Sequence, residues 1–325
     1  MVTPLGLGMA ALGRPGYMTL GHADDLSHEY SVAAMELHAH EVLDAAWAAG
    51  MRYFDAARSY GRAEEFLGNW LRTRTHVHTG GDDSITVGSK WGYIYTADWQ
   101  VQAQEHEVKE LTRDNLVRQW GETQAHLPGQ VQLYQVHSAT LKSGVLEDVT
   151  VLRELAQLKA QGGVAIGLTL SGPRQAATLE KALAVRVDGA ALFETVQATW
   201  NLLEQTAGEA LAAAHAQGVG VIVKEAVANG RLTARNDNPR FAPAMAILRQ
   251  QAARLSCSVD ALALAAVLAQ PWADVTLSGA ATAEQVRSNA RALEVPWDDE
   301  ATEATAPLRE DSSAYWSHRS EMEWN

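Results

Sequence analysis

The chain has 325 residues, 47% hydrophobic content and a formal net charge of −13. That hydrophobic share argues against disorder, and the acidic balance argues against a broad nucleic-acid or anionic-membrane surface, which needs clustered Lys and Arg. The single cysteine, Cys257, rules out an intrachain disulfide and a cysteine-based zinc cluster, and it fits a reducing, cytoplasmic setting.

The elements alternate. Predicted strands are Leu5–Ala10, Arg52–Asp55, Ile85–Lys90, Gln132–His137, Ala165–Leu170, Thr195–Thr199, Gly220–Glu225 and Val275–Leu277. Helical periodicity falls between and after them, at Ala33–Ala49, Ala63–Arg72, Asp114–His126, Val149–Ala160, Arg174–Ala184, Ala207–Gln217, Ala242–Leu255 with Val259–Ala269, and Ala283–Leu293. The strands are apolar on successive residues, as expected where both faces are buried in a parallel sheet. Eight β/α units predict one closed (β/α)8 barrel, a TIM barrel, across residues 1–325.

No strand is followed by Gly-x-Gly-x-x-Gly, so neither a Rossmann site nor a P-loop is supported. The opening Met-Val-Thr-Pro-Leu-Gly lacks the pattern of a signal peptide. The longest apolar run, Ala261–Ala269, is far short of the ~18 residues of a membrane span and reads as a buried helix. Three segments exceed ordinary connection length: 12–29, 91–109 and the tail at 296–325. Aromatic side chains on such loops, Trp91 and Tyr93 among them, either wall a substrate pocket above the barrel mouth or cover the barrel's own apolar ends.

Asp55, Lys90 and His137 end the second, third and fourth strands, and Tyr60 follows Asp55 by five residues. A parallel barrel gathers its strand ends on one face, where such barrels place their chemistry. A phenol is a reluctant donor at neutral pH, with an ordinary pKa of about 10, and a nearby ammonium favours its ionised form. Lys90 is the expected cation, Asp55 its partner, and His137 a hydrogen-bond donor that orients a substrate carbonyl; no metal is required. Singly, each residue also has a structural reading: an exposed loop tyrosine, an ion pair, a core histidine.

Asp55-Ala-Ala-Arg-Ser-Tyr60-Gly, Lys90 and His137, spaced by five, thirty and forty-seven residues, resemble the catalytic tetrad of the aldo-keto reductases. The similarity extends to Gln197–Leu203, Gly230–Thr233 and Gly279–Asn289. It implies a barrel that holds a nicotinamide dinucleotide in extended form, with Tyr60 as general acid or base supported by Lys90, Asp55 and His137. NADP(H) is the default for that family, with NAD(H) as the other option. Thr169 and Gln197 stand where the family holds the nicotinamide carboxamide, and Trp200 and Lys224 stand near the nicotinamide ring. Gly279, Ala281, Thr282, Gln285 and Asn289 stand where it holds the adenosine end.

The chain departs from the family pattern at Leu170, at Lys224 in place of an aromatic ring, and at Ala281 in place of a frequent basic residue. Lys224 is expected to pair with Glu225, because a buried lysine needs a partner. The expected substrate is a small carbonyl compound or the corresponding alcohol. A nucleotide-binding regulatory or accessory protein with little turnover is the alternative, and an enzyme forming a Schiff base at Lys90 is a third reading. The pairs His38/His40 and His76/His78 are expected to be surface histidines, and Asp298–Glu303 a solvated acidic stretch.

Overall fold

The computed structural model describes residues 3–73 and 84–325. His76 and His78 lie outside the described residues. Eight parallel strands close the barrel: β1 (Leu5–Gly8), β2 (Tyr53–Asp55), β3 (Thr86–Trp91), β4 (Val131–Ala139), β5 (Ala165–Leu170), β6 (Thr195–Thr199), β7 (Gly220–Lys224) and β8 (Val275–Ser278). Each pairs with its sequence neighbour, and β8 closes on β1 through Leu5 opposite Thr276. This is the (β/α)8 barrel expected from the alternation of elements.

Helices wrap the outside because one stripe of each is apolar. Ala63–Arg72 buries Phe66, Leu67, Trp70 and Leu71. Several begin at side-chain caps: Thr112 accepts from the Asn115 amide at 3.3 Å, and Asp148 from Thr150 at 2.9 Å. The helix Val259–Leu268, which contains most of the longest apolar run, is buried along nearly its whole length. Among the described residues no single helix is long and apolar enough to cross a membrane.

Strand alternation divides the core into two layers. Outward-facing Leu7, Phe54, Val136, Ile166, Leu168 and Val223 join the helices in the main hydrophobic layer. Inward-facing Tyr53, Leu133, Ile222, Val275 and Leu277 form a separate apolar plug inside the barrel. Next along the inward-facing positions come Asp55, Lys90, Gln135 and Gln197, all buried. The barrel is therefore dry at its base and polar toward the strand C-termini.

The long segments have structure of their own. The first carries a helical turn, His22–Asp25, and the second an antiparallel hairpin, Tyr93–Tyr95 with Glu107–Lys109. The tail, expected as a loop, carries the helices Asp299–Thr305 and Ser312–Ser320; Asp298, within the acidic stretch, caps the first of them.

Gly13 allows the first segment to lie against the loop that carries Tyr60. A Cβ at Gly13 would stand 2.1 Å from the Tyr60 carbonyl oxygen and 2.6 Å from the Ala63 amide nitrogen, both backbone atoms that cannot swing aside. Gly13→Ala is expected to cost about 1–3 kcal/mol, as overpacking does, and to displace Tyr60. Urea denaturation measures the first effect and turnover the second.

Candidate active site

The site grows from a buried charge. The Asp55 carboxylate, at the inner end of β2, accepts the Lys90 ammonium on Oδ2. Its other oxygen, Oδ1, accepts from the Tyr53 hydroxyl at 3.1 Å, Gln197 Nε2 at 3.0 Å and Gln135 Nε2 at 3.3 Å. Lys90 Nζ also donates to the Ala56 carbonyl at 2.7 Å. Burial pulls the Lys90 ammonium below its ordinary pKa, and the Asp55 carboxylate resists that pull.

Tyr60 and His137 stand over this pair. Lys90 Nζ lies 4.8 Å from the centroid of the Tyr60 ring, and the Tyr60 and His137 rings meet edge to face at 5.5 Å. The four residues that the sequence grouped are thus brought together, and Asp55, Tyr60 and His137 line one cavity of about 230 Å³. Among the described residues neither the Tyr60 hydroxyl nor His137 Nε2 has a hydrogen-bond partner. His137 Nδ1 faces Ser59 Oγ at 3.5 Å.

The electrostatics differ from the sequence expectation in one respect. The Tyr60 phenol is held well above its ordinary pKa, first by burial and then by Asp55; Arg14 is the cation that opposes them. No hydrogen bond joins Lys90 to the Tyr60 hydroxyl, because the ammonium is turned toward Asp55 and Ala56. His137 is held well below the ordinary imidazole range by burial, with Lys90, Lys224 and Arg14 adding to the effect, so its ring is neutral at neutral pH.

Arg14 is the principal residue that the sequence reading missed as a site residue. Its guanidinium lies 5.1 Å from the Tyr60 ring, 5.2 Å from Tyr17 and 4.7 Å from Trp324. Nη1 donates to the Ser59 carbonyl at 3.0 Å and pairs with Glu107. Trp324 also stacks on His106 at 4.0 Å, and Asn325 pairs with the Tyr17 backbone in both directions at 3.2 Å. Cation–aromatic packing joins the first segment to the tail, and the Glu107 ion pair and His106–Trp324 stack tie the second segment to them over the mouth. The signal available in sequence was an arginine three residues before Tyr17 in the first segment, with no way to know that Tyr60 would lie beneath it.

A second charge cluster closes the opposite side. Lys224 Nζ donates to Thr199 Oγ1 at 2.8 Å and lies 3.5 Å from Glu225, the pairing expected from sequence. Arg319, on the helix Ser312–Ser320, donates to the same carboxylate at 2.8 Å. Burial lowers the Lys224 pKa to about 8, against the pull of Glu225. Burial works to raise the Glu225 pKa, but Arg319 and Lys224 outweigh it and bring it to about 2.

Strand alternation corrects two placements. Lys90 faces inward, so Trp91 faces outward and is fully buried among the helices instead of lining the cavity. Trp200 likewise follows inward-facing Thr199; it packs edge to face with Trp272 at 5.7 Å, away from the cavity. Leu170 is also in the outer layer. Tyr93, Gln197, Lys224 and Gly279 do line the cavity. Thr169 lies just beneath, its Oγ1 accepting from the Ser138 amide at 2.7 Å. Ala281, Thr282, Gln285 and Asn289 line an adjoining trough. His38 and His40 are part-buried, with Nε2 of His40 3.0 Å from the Phe66 carbonyl and that of His38 beside the Ala281 carbonyl, so they fasten backbone instead of standing free on the surface.

The Glu225 cluster predicts acid lability. A carboxyl whose pKa falls on folding adds stability that is complete above the unfolded pKa of about 4.5 and disappears as pH drops through about 2. Denaturation midpoints measured between pH 5 and 2 are expected to fall, and Glu225→Gln is expected to flatten that fall while lowering stability at neutral pH.

The sequence matches the aldo/keto reductase family over residues 4–309. It is 34% identical over 86 residues to the aldo-keto reductase str7 of Strobilurus tenacellus, a match that spans 26% of this chain and 20% of that protein. The fold is similar to the holo form of aldo-keto reductase AKR11C1 from Bacillus halodurans, with a TM-score of 0.70, 20% identity and coverage of 95% of this chain and 93% of that one. It is similar also to glycerol dehydrogenase AKR11B4 from Gluconobacter oxydans, with a TM-score of 0.71, 22% identity and coverage of 94% and 91%. With a match across nearly its whole length and a closed barrel beneath it, this chain belongs to the aldo/keto reductase family.

Proposed function

We propose that the protein reduces an aldehyde or ketone to an alcohol, or runs the reverse reaction, with a nicotinamide dinucleotide, and that Tyr60 is the proton donor. The observation that carries this reading is a tyrosine hydroxyl and the Nε2 of a neutral imidazole, both facing the cavity without protein partners, above a buried ammonium–carboxylate pair. Nothing in the packing of the barrel requires that arrangement. A carbonyl oxygen set between Tyr60 and His137 completes both side chains.

The fit of a dinucleotide rests on the donor set. Gln197, Ser138, Ser171 and Lys224 present polar groups to the cavity, Gly8 and Gly279 leave its wall without side chains, and the trough beyond Gly279 extends the binding space. When bound, the reduced nicotinamide supplies a hydride to the carbonyl carbon. His137 donates from Nε2–H to the carbonyl oxygen, its tautomer set by the Ser59 hydroxyl at Nδ1. Tyr60 passes its proton to the same oxygen as charge develops there. The phenolate left behind is stabilised by the Lys90 ammonium and the Arg14 guanidinium. Asp55 opposes loss of the Lys90 proton, and four donors occupy the Asp55 oxygens. Tyr17, Tyr93 and Trp324 in the walls favour a ring-bearing or partly apolar carbonyl substrate.

Tyr60→Phe removes only the hydroxyl. It is expected to lower carbonyl reduction by at least about 100-fold, the scale of a lost general acid, while tryptophan-quenching titrations show nucleotide affinity within about 3-fold of the parent, since the phenol faces the carbonyl and not the nucleotide's binding contacts. Near-normal turnover of Tyr60→Phe across a panel of aromatic and sugar-type aldehydes would assign the acid to another group.

A further inference from the structure

The trough beside the catalytic cavity shares Thr19, Val227 and Gly279 with it, and Ala281, Thr282, Gln285 and Asn289 form one of its walls. On the reading proposed above, this is where the adenosine half of an extended dinucleotide lies. The charge of the trough bears directly on which dinucleotide fits. Its lining includes four carboxylates, Asp24, Asp25, Asp260 and Glu284, and one cation, Arg235.

That cation is already paired through both terminal nitrogens, with its side chain 42% exposed. Arg235 Nη1 donates to Asp25 Oδ2 at 2.7 Å, to the Leu20 carbonyl at 3.3 Å and to the Gly21 carbonyl at 3.2 Å, while Nη2 pairs with Asp25 Oδ1 at 2.5 Å. Asp25 is 5% exposed in its side chain and also accepts from Gln285 Nε2 at 2.9 Å. The helix Ala283–Ala290 brings little to offset the carboxylates. Its Thr282 cap takes the Gln285 amide at 3.1 Å, Gln285 Oε1 takes the Ala281 amide at 2.8 Å, and Glu284 sits in its first turn. Arg287 does not line the trough.

We propose that Asp25, by occupying the fork of Arg235 and by adding its charge to that of Glu284, Asp24 and Asp260, selects NAD(H) over NADP(H). A 2′-phosphate would enter a space of net charge −3 whose one guanidinium has its partner. A free ribose 2′-hydroxyl is neutral and donates a hydrogen bond that a carboxylate accepts. The repulsion is between charges separated by protein edge and solvent, so it is strong at low ionic strength and weak at high salt.

The test is a set of binding titrations followed by tryptophan fluorescence on the full chain, with no turnover required. At low salt NADH is expected to bind at least about 10-fold more tightly than NADPH, and AMP more tightly than adenosine 2′,5′-bisphosphate, with both gaps narrowing at about 1 M salt where the Debye length is about 3 Å. Asp25→Asn is expected to raise NADPH affinity at least about 10-fold and to change NADH affinity much less. Glu284→Lys, at the rim of the trough and outside the Asp25–Arg235 pair, supplies the same reading if Asp25→Asn fails to fold. Equal or tighter binding of NADPH by the parent at low salt overturns the preference and leaves the reductase reading standing. Failure of both dinucleotides to bind overturns both.

Discussion

A carboxylate and an ammonium, Asp55 and Lys90, face each other buried inside a barrel, and much of the site exists to make that tolerable. Burying either charge alone costs several kcal/mol, and removing one partner strands the other at about 3–5 kcal/mol. Tyr53 from the same strand, Gln135 from β4 and Gln197 from β6 therefore converge on Asp55 across the barrel interior. Gly88 has no Cβ, and a Cβ there would meet the Tyr53 hydroxyl at 2.3 Å, so the absence of a side chain on β3 is what lets that phenol reach the carboxylate. Tyr60 and His137 inherit their properties from this arrangement. Both line the cavity, both are neutral, and the Tyr60 hydroxyl and His137 Nε2 have no partner among the described residues.

Above the barrel the same economy of charge recurs in a different form. Arg14 and Arg319 reach the mouth from segments more than 300 residues apart, each paired with a carboxylate and each packed against aromatic rings. The first segment, the hairpin after β3 and the tail are held to one another by these contacts and by the backbone pairing of Tyr17 with Asn325. The acidity of the chain is unevenly spread. Cations and carboxylates balance in the lining of the catalytic cavity, Arg14, Lys224 and Arg319 against Asp55, Glu107 and Glu225, while carboxylates dominate the trough beside it. A ligand that spans the two would pass from a charge-balanced cavity into a negative trough.

The extent to which the site was legible in the sequence follows from where each signal comes from. Asp55, Lys90 and His137 end apolar runs of the length of a strand, so chain-local pattern placed them on one face, and Tyr60 follows from its short spacing to Asp55. Trp91 and Trp200 were misplaced for a reason that is also local: a strand turns successive side chains to opposite faces, so the neighbour of an inward lysine or threonine points to the helices. Applying that alternation to the ends of β3 and β6 would have moved both. Arg14, Arg319 and Gln135 carried no such signal, because their roles depend on partners 45 to 94 residues away.

The amino-acid sequence by itself determined the barrel and the residues at its strand ends, since hydrophobic periodicity and strand-length runs are written within a few turns of chain. Only the tertiary structure decided the protonation of those residues, the identity of the cation over Tyr60 and the occupancy of Arg235 by Asp25. Burial and charge proximity are sums over atoms from the whole chain. No local stretch of sequence contains them.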